Sequence, residues 1–289
     1  MKIKLILSPV NQRFRKSGLH FSLFTANALF FIIFILIGFI SCSKEKNEDL
    51  CSDPTLMREV RMGKDAVQGL TYNSNCQVNE LLEPYQYSKF TYNATGRLFK
   101  IEVAISLNPL SCVALPGGDG GSSGDPRKAK VTTYYEYEFN GEGIPAKRYM
   151  FGLYNNTFQF LSCETYHYTN DLIDTVKVYD QNEILNNYKT YSYENENIKV
   201  EKFYTLQQNN DFRLIYAIEY EFDDKFNPFR VLAVMAQPGK YTNTNNIIKE
   251  THISNPGTTE IRYSTNYSYE YNERGYPVKI NTNDVVYGK

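Results

Sequence analysis

The chain has 289 residues, with 31 Lys+Arg against 32 Asp+Glu and a formal net charge of -1. That balance argues against a nucleic-acid partner, which selects for a basic excess. A composition that is 42% hydrophobic and 22% charged excludes both a disordered chain and a polytopic membrane protein.

The averages conceal two segments. Residues 1–41 hold five basic residues (Lys2, Lys4, Arg13, Arg15 and Lys16), no acid and no Tyr. Phe21–Ile40 is almost purely apolar, and the chain turns polar directly after Ser41–Cys42–Ser43. A basic stretch, an apolar stretch and small residues beside a Cys form an export signal. The alternative is a transmembrane anchor, since Phe21–Ile40 is twenty residues, long enough to span. In both cases the preceding basic residues place the remainder outside the cytoplasm.

The ending Phe39-Ile40-Ser41-Cys42 resembles the lipobox of bacterial lipoproteins, with Phe39 in place of the usual Leu. The resemblance implies that Cys42 is acylated and becomes the new N-terminus, so membrane lipid is an expected partner. It also implies an outer-membrane location in a Gram-negative cell, facing periplasm or cell surface. The polar run Lys44–Asp49 suits the tether of such a protein, and 42–57 is expected to be flexible.

Removing the signal leaves 26 basic and 32 acidic residues, a net charge of -6, and all 25 Tyr. Four Cys remain, namely Cys51, Cys76, Cys112 and Cys163. In an oxidising compartment they allow up to two disulfides, with three possible connectivities. Cys51–Cys76, clamping the tether to the first strands, is the preferred pair; separate buried thiols are the alternative.

Residues 58–289 read as one β domain organised by an internal repeat. Phe90-Thr-Tyr92-Asn93-Ala-Thr-Gly96 matches Tyr137-Glu-Phe139-Asn140-Gly-Glu-Gly143. Tyr220-Glu-Phe222-Asp223 and Tyr269-Glu-Tyr271-Asn272-Glu-Arg-Gly275 continue the series, with weaker copies at Tyr166–Tyr168 and Tyr191–Tyr193. Aromatic residues alternating with polar ones mark half-buried strands. Asn or Asp followed by Gly three later marks the turn, and the Gly or its counterpart, such as Asn197, takes the left-handed conformation. Phe226 and Leu172 at that place require different turns. Pro145, Pro228 and Pro277 then open the returning strand, where a missing donor is tolerated. Two insertions interrupt the series, a Gly-rich one at 108–130 and an Asn/Thr-rich one at 237–259.

The Tyr-x-Tyr-Asn/Asp-x-x-Gly unit resembles the YD (RHS-type) repeat, and the arrangement behind a lipobox resembles a family of Gram-negative lipoproteins of unknown function. The likeness covers roughly 85–289. It implies a long, curved antiparallel sheet and no catalytic residue. The expected fold is therefore all-β: an antiparallel meander of roughly ten to fourteen strands, curved or partly closed, after an N-terminal helical signal.

Little in the sequence points to catalysis. His167 lies between Tyr166 and Tyr168, so alternation sends it to solvent. His252 shares a strand face with Glu250, a conceivable acid–base pair but more simply surface decoration. HExxH, paired CxxC and GxSxG patterns are missing, so no metal and no cofactor are expected. The Gly-rich stretch Pro116–Pro126 lacks the Lys of a phosphate loop and the carboxylate spacing of an EF-hand, and reads as a linker. Glu136, Glu138, Glu219, Glu221 and Glu270 recur with the repeat, which suits solvated strand faces rather than one active site. Tyr134, Tyr188, Tyr241 and Tyr276 fall off the core phase or in turns. The expectation is a non-enzymatic envelope lipoprotein with a protein or glycan ligand; the alternative is a glycan-binding or glycan-processing part of an outer-membrane nutrient-uptake system.

Overall fold

A computed structural model describes residues 51–63, 65–105 and 126–288. The signal, Cys42, Cys112 and nearly all of the Gly-rich stretch lie outside the described residues. The fold is all-β, a single antiparallel sheet of seventeen strands. These are β1 (Met57–Met62), β2 (Asp65–Tyr72), β3 (Val78–Leu82), β4 (Gln86–Tyr92), β5 (Leu98–Ile105) and β6 (Val131–Phe139). There follow β7 (Pro145–Tyr154), β8 (Thr157–Thr169), β9 (Leu172–Asp180), β10 (Leu185–Glu194), β11 (Asn197–Leu206) and β12 (Phe212–Phe226). The last are β13 (Asn245–Ser254), β14 (Ile261–Asn266), β15 (Tyr269–Tyr271), β16 (Pro277–Ile280) and β17 (Asn283–Tyr287).

The strands form where aromatic residues alternate. On β6, Tyr135, Tyr137 and Phe139 pack on the core while Glu138 is exposed. On β12, Ile218, Tyr220 and Phe222 turn inward while Glu219 and Glu221 turn outward. Period two does this, since successive side chains leave opposite faces of the pleat.

Two kinds of turn join eight of the strand pairs. In the first, an Asn or Asp side chain caps a five-residue loop. Asn93 Oδ1 accepts from the Thr95 and Arg97 N–H groups at 3.0 and 2.9 Å, and Gly96 sits at φ 78°. Asn73, Asn140, Asp180 and Asn272 repeat the device. The left-handed fourth position is Gly in three of these loops, but Cys76 and Glu183 occupy it at φ 58° and 62°. In the second kind, two consecutive left-handed residues make a tight turn: Asn155–Asn156, Asn170–Asp171 and Asn195–Glu196. Asn suits such turns because its short amide tolerates positive φ. The left-handed residues after Tyr193 are thus Asn195 and Glu196, and Asn197 instead begins β11.

The closing tyrosine of many hairpins has a task beyond burial. Tyr92 Oη donates to Val78 O at 2.7 Å, Tyr168 to Pro145 O at 2.8 Å and Tyr193 to Ile173 O at 2.8 Å. In each case a Tyr ending one strand fastens the first residues of the strand before it. Phe cannot replace it without leaving a part-buried carbonyl short of a donor.

The sheet curves almost full circle. Consecutive strands pair in every case except β14 and β15, and the first strand, β1, also pairs with the last, β17. It is not closed, because no ladder joins β14 to β15. The sequence predicts one strand over 261–271; the structure breaks it at Tyr267–Ser268. There Tyr267 N–H donates back to Ile248 O while Ser268 O accepts from Asn281 N–H. Adjacent residues serve opposite edges, so the chain changes partners at that point.

The structure corrects three expectations. Met57 is 1% exposed and Cys51 6%, and Cys51 is joined to Cys76 by a disulfide with a Cα–Cα distance of 5.0 Å. Residues 51–57, expected within the flexible tether, therefore belong to the folded region, while 42–50 lie outside the described residues. Pro228 opens no strand. It starts a 3-10 segment, Pro228–Met235, capped by Asn227 Oδ1 accepting from Phe229 N at 3.0 Å. Proline's missing N–H is harmless at that position too. The Asn/Thr-rich 237–259 stretch contains β13, which is bonded to strands on both edges.

Residues 227–244 cross the tyrosine-lined face. Phe229 and Leu232 are buried, Tyr137 Oη on β6 donates to Met235 O at 3.0 Å, and Asn243 Oδ1 accepts from Ile198 N on β11 at 2.8 Å. This segment fills the concave side that the curved sheet alone would leave open.

Candidate functional site

The concave face also carries charge. Arg148 on β7, Glu164 on β8, Lys189 on β10, Glu201 on β11 and Glu250 on β13 share the faces of neighbouring inward tyrosines. Each is fixed by register. Arg148 stands opposite Tyr137 on one side and Glu164 on the other, and Glu250 stands opposite Tyr220.

Arg148 Nη2 lies 2.6 Å from Glu164 Oε1, and Tyr166 Oη donates to Glu164 Oε2 at 3.2 Å. The guanidinium also sits 4.7 Å from the Tyr135 ring centre. The Gln237 amide, with its oxygen turned inward, accepts from it as well. Burial opposes the Arg148 charge, but Glu164 and the surrounding phenols outweigh it and raise its pKa well above the ordinary value. Burial likewise pushes Tyr166 far up. Next along the sheet, Lys189 Nζ lies 2.8 Å from Glu201 Oε1. Tyr216 Oη donates to the same oxygen at 3.3 Å, while Tyr220 Oη reaches Glu201 Oε2 at 3.5 Å. Burial works against the Lys189 charge and Glu201 reverses the balance, so its pKa is raised.

Glu250 accepts from Tyr267 Oη at 3.2 Å and lies 3.4 Å from His252 Nε2. The His252 ring stacks on Tyr263, their centres 4.8 Å apart. Lys240, from the crossing segment, places its ammonium 3.5 Å from the Phe229 ring centre. Burial lowers its pKa to about 8, against the pull of Glu83 and Glu250. Burial also raises Glu83.

The arrangement ties neighbouring strands together through charges and phenols. Burial pushes Tyr137, Tyr168 and Tyr216 up to about 12, so these phenols stay neutral donors near neutral pH. Glu164 and Glu201 each accept from a cation and from at least one phenol.

Sequence reasoning locates some residues of this face and misses others. His252 does meet Glu250, while His167 is exposed and pairs with Asp174 at 2.8 Å. Glu138, Glu219, Glu221 and Glu270 lie on the outer face, exposed as expected. Cys163 is free and half-buried. Tyr134 and Tyr188 stand in outward ring stacks, Tyr134 on Phe151 at 4.6 Å and Tyr188 on Tyr204 at 4.6 Å. Tyr241 packs on the core, and Tyr276 meets Phe226 and Tyr287. Arg148, Glu164, Lys189, Glu201 and Lys240 are the ones missed. The available signal is phase: Glu164-x-Tyr166-x-Tyr168 and Lys189-x-Tyr191-x-Tyr193 put a charge on the tyrosine face. Among the described residues, no three His, Cys, Asp or Glu side chains are grouped to hold a metal ion.

No family model and no curated protein matches the chain. Solved structures do resemble it. A porin-like protein from Bacteroides vulgatus is 11% identical over 80% of this chain and 93% of that one, with a TM-score of 0.45. A porin-like protein from Bacteroides uniformis is 13% identical over 76% and 89%, with a TM-score of 0.40. The TcdB2–TccC3 complex without its hypervariable C-terminal region is 12% identical, covering 74% of this chain and 14% of that one, with a TM-score of 0.20.

Proposed function

We propose that this chain is an exported envelope lipoprotein, held in the outer membrane of a Gram-negative cell by acylated Cys42. It acts there as a non-enzymatic binding or structural module of YD-repeat type. The observation that carries the reading is Phe21–Ile40 ending at Ser41–Cys42, directly ahead of a disulfide-linked, tyrosine-cored domain. The inward charges support the non-enzymatic part, because they are committed to one another. Outward ion pairs such as Arg262–Glu219 at 2.8 Å and Lys249–Glu221 at 2.7 Å favour an outer face in water over one in lipid.

Metabolic labelling with a palmitate analogue tests the anchor. Wild type labels and Cys42→Ala does not; an alanine variant that still labels removes the lipid reading.

A second reading, glycan binding, is favoured by one observation. Tyr134, Phe151 and Phe158 form an outward stack across β6, β7 and β8, with Phe158 37% exposed. With Phe151 and Lys100 against the Tyr134 ring, the surface on which the apolar face of a sugar can pack is Phe158. A glycan array probed with the full chain decides the matter, since uniform silence eliminates this second reading.

A further inference from the structure

β14 is bonded to β13 along one edge, and among the described strands none pairs with its other edge. The direction of its main-chain groups follows from one bond. Tyr267 N–H donates to Ile248 O, in unbroken register with the β13–β14 ladder. In an antiparallel ladder alternate residues point to alternate edges, so Ile261, Tyr263 and Thr265 also face β13. The N–H and C=O groups of Arg262, Ser264 and Asn266 therefore face the open side. The bond from Asn255 N–H to Ile215 O gives the same phase from the far side of β13.

Edge strands left in this condition are usually blunted by Pro, Lys, a bulge or shortness. The β14 sequence Ile-Arg-Tyr-Ser-Thr-Asn has no Pro or Lys, and its ladder has no register shift. Arg262 is drawn to the outer face by Glu219 and Glu260, at 2.8 and 2.9 Å. Large apolar side chains flank the edge, with Ile261 58% and Tyr263 55% exposed.

We propose that this edge joins two copies of the chain, β14 against β14, antiparallel about a twofold axis at Ser264. The strand is self-complementary in that register. Ser264 faces Ser264 of the second copy, and Arg262 faces Asn266, so every open-edge residue sits in a hydrogen-bonded pair and no like charges meet. On the opposite face Tyr263 meets Thr265 and Ile261 meets Tyr267, pairings of aromatic with β-branched side chains that stabilise sheets. An isologous contact closes on itself and ends at a dimer. This self-complementarity selects a second copy over an unrelated strand. The inference does not depend on the lipid anchor.

Cysteine cross-linking of the full chain in its own membranes provides the test. Hydrogen-bonded antiparallel neighbours have Cα atoms ~5.5 Å apart, within disulfide reach. Under mild oxidation, Ser264→Cys gives at least tenfold more disulfide-linked dimer than Lys202→Cys, an exposed position on β11. In a mixture of differently tagged chains, Arg262→Cys links to Asn266→Cys but not to itself. Ser264→Pro removes a main-chain donor that β13 does not use and one exposed hydroxyl contact, to Thr251 Oγ1 at 2.9 Å, so the variant keeps a cooperative thermal transition within a few degrees of wild type and sediments as a monomer in detergent. The proposal is overturned if Ser264→Cys is fully alkylated yet yields no more dimer than the control. A cross-link to a protein of different mass, or a Ser264→Pro chain that stays dimeric, overturns it equally. Should Ser264→Cys fail to fold, the Arg262→Cys and Asn266→Cys mixture tests the same register, and the absence of a link between them overturns it.

Discussion

The inner and outer faces of the same sheet carry ion pairs of similar length in different surroundings. Lys189 and Glu201 meet at 2.8 Å with side chains 26% and 6% exposed; Arg262 and Glu219 meet at 2.8 Å with 49% and 47%. Distance alone makes them equivalent. Solvent does not, because water screens the outer pair while Glu201 of the inner one is buried and meets only Lys189 and the phenols of Tyr216 and Tyr220. The inner charges thus act as obligatory couples, and the outer ones as decoration that keeps the surface wet.

The largest expected break in this contrast is Arg148→Met. It leaves the half-buried Glu164 without its cation, and stability should fall by about 3 kcal/mol, the low end for a broken pair because Glu164 keeps some water, read from the denaturant midpoint. Replacing Glu164 by Gln in the same chain should recover part of that loss, since the stranded charge is then gone.

Lys240 sharpens the comparison through pH. Its pKa falls to about 8 in the folded chain against an ordinary 10.5. Between those values the unfolded state binds the extra proton, so wild type gains stability as pH rises through that window. Lys240→Met lacks this gain. The stability difference between the two proteins should move in favour of wild type from pH 8 to 10.5, by roughly 2–3 kcal/mol. Denaturant titrations at both pH values measure it, and because the raised tyrosines are common to both chains, their effect cancels. A difference independent of pH would show that Lys240 is not titrating from the buried position.

The smallest effect belongs to the outer face. Glu219→Gln should leave the denaturation midpoint within experimental scatter, and added salt should change wild type and variant alike. A clear loss would mean that the outer pairs are coupled to the fold in the manner of the inner ones.

Much of this architecture is legible in the residues. The alternation Ile261-x-Tyr263-x-Thr265-x-Tyr267 identifies a strand face, and Asn93-x-x-Gly96 identifies a turn, because both depend on neighbours in sequence. The 3-10 segment after Pro228 reads in sequence as a returning strand. Proline tolerates both settings, and only the buried contacts of Phe229 and Leu232 distinguish them. The break at Tyr267–Ser268 is equally hidden, since the pattern of side chains continues through it and only the partners change. The inward charges lie in plain phase with the tyrosines, yet a charge in a core position reads as an irregularity until its counter-charge on the next strand is known.

The sequence by itself determined a basic then apolar stretch ahead of Cys42, a tyrosine-rich domain of β-hairpins and the spacing of their turns. These are local properties, set by period, by residue shape and by which side chains tolerate positive φ. Tertiary structure alone decided that β1 meets β17, that residues 227–244 cover the concave face, and that Arg148 finds Glu164 and Lys189 finds Glu201. It also left β14 with an open edge. Such pairings join residues distant in the chain, and their energy depends on burial and on partners that no local pattern encodes.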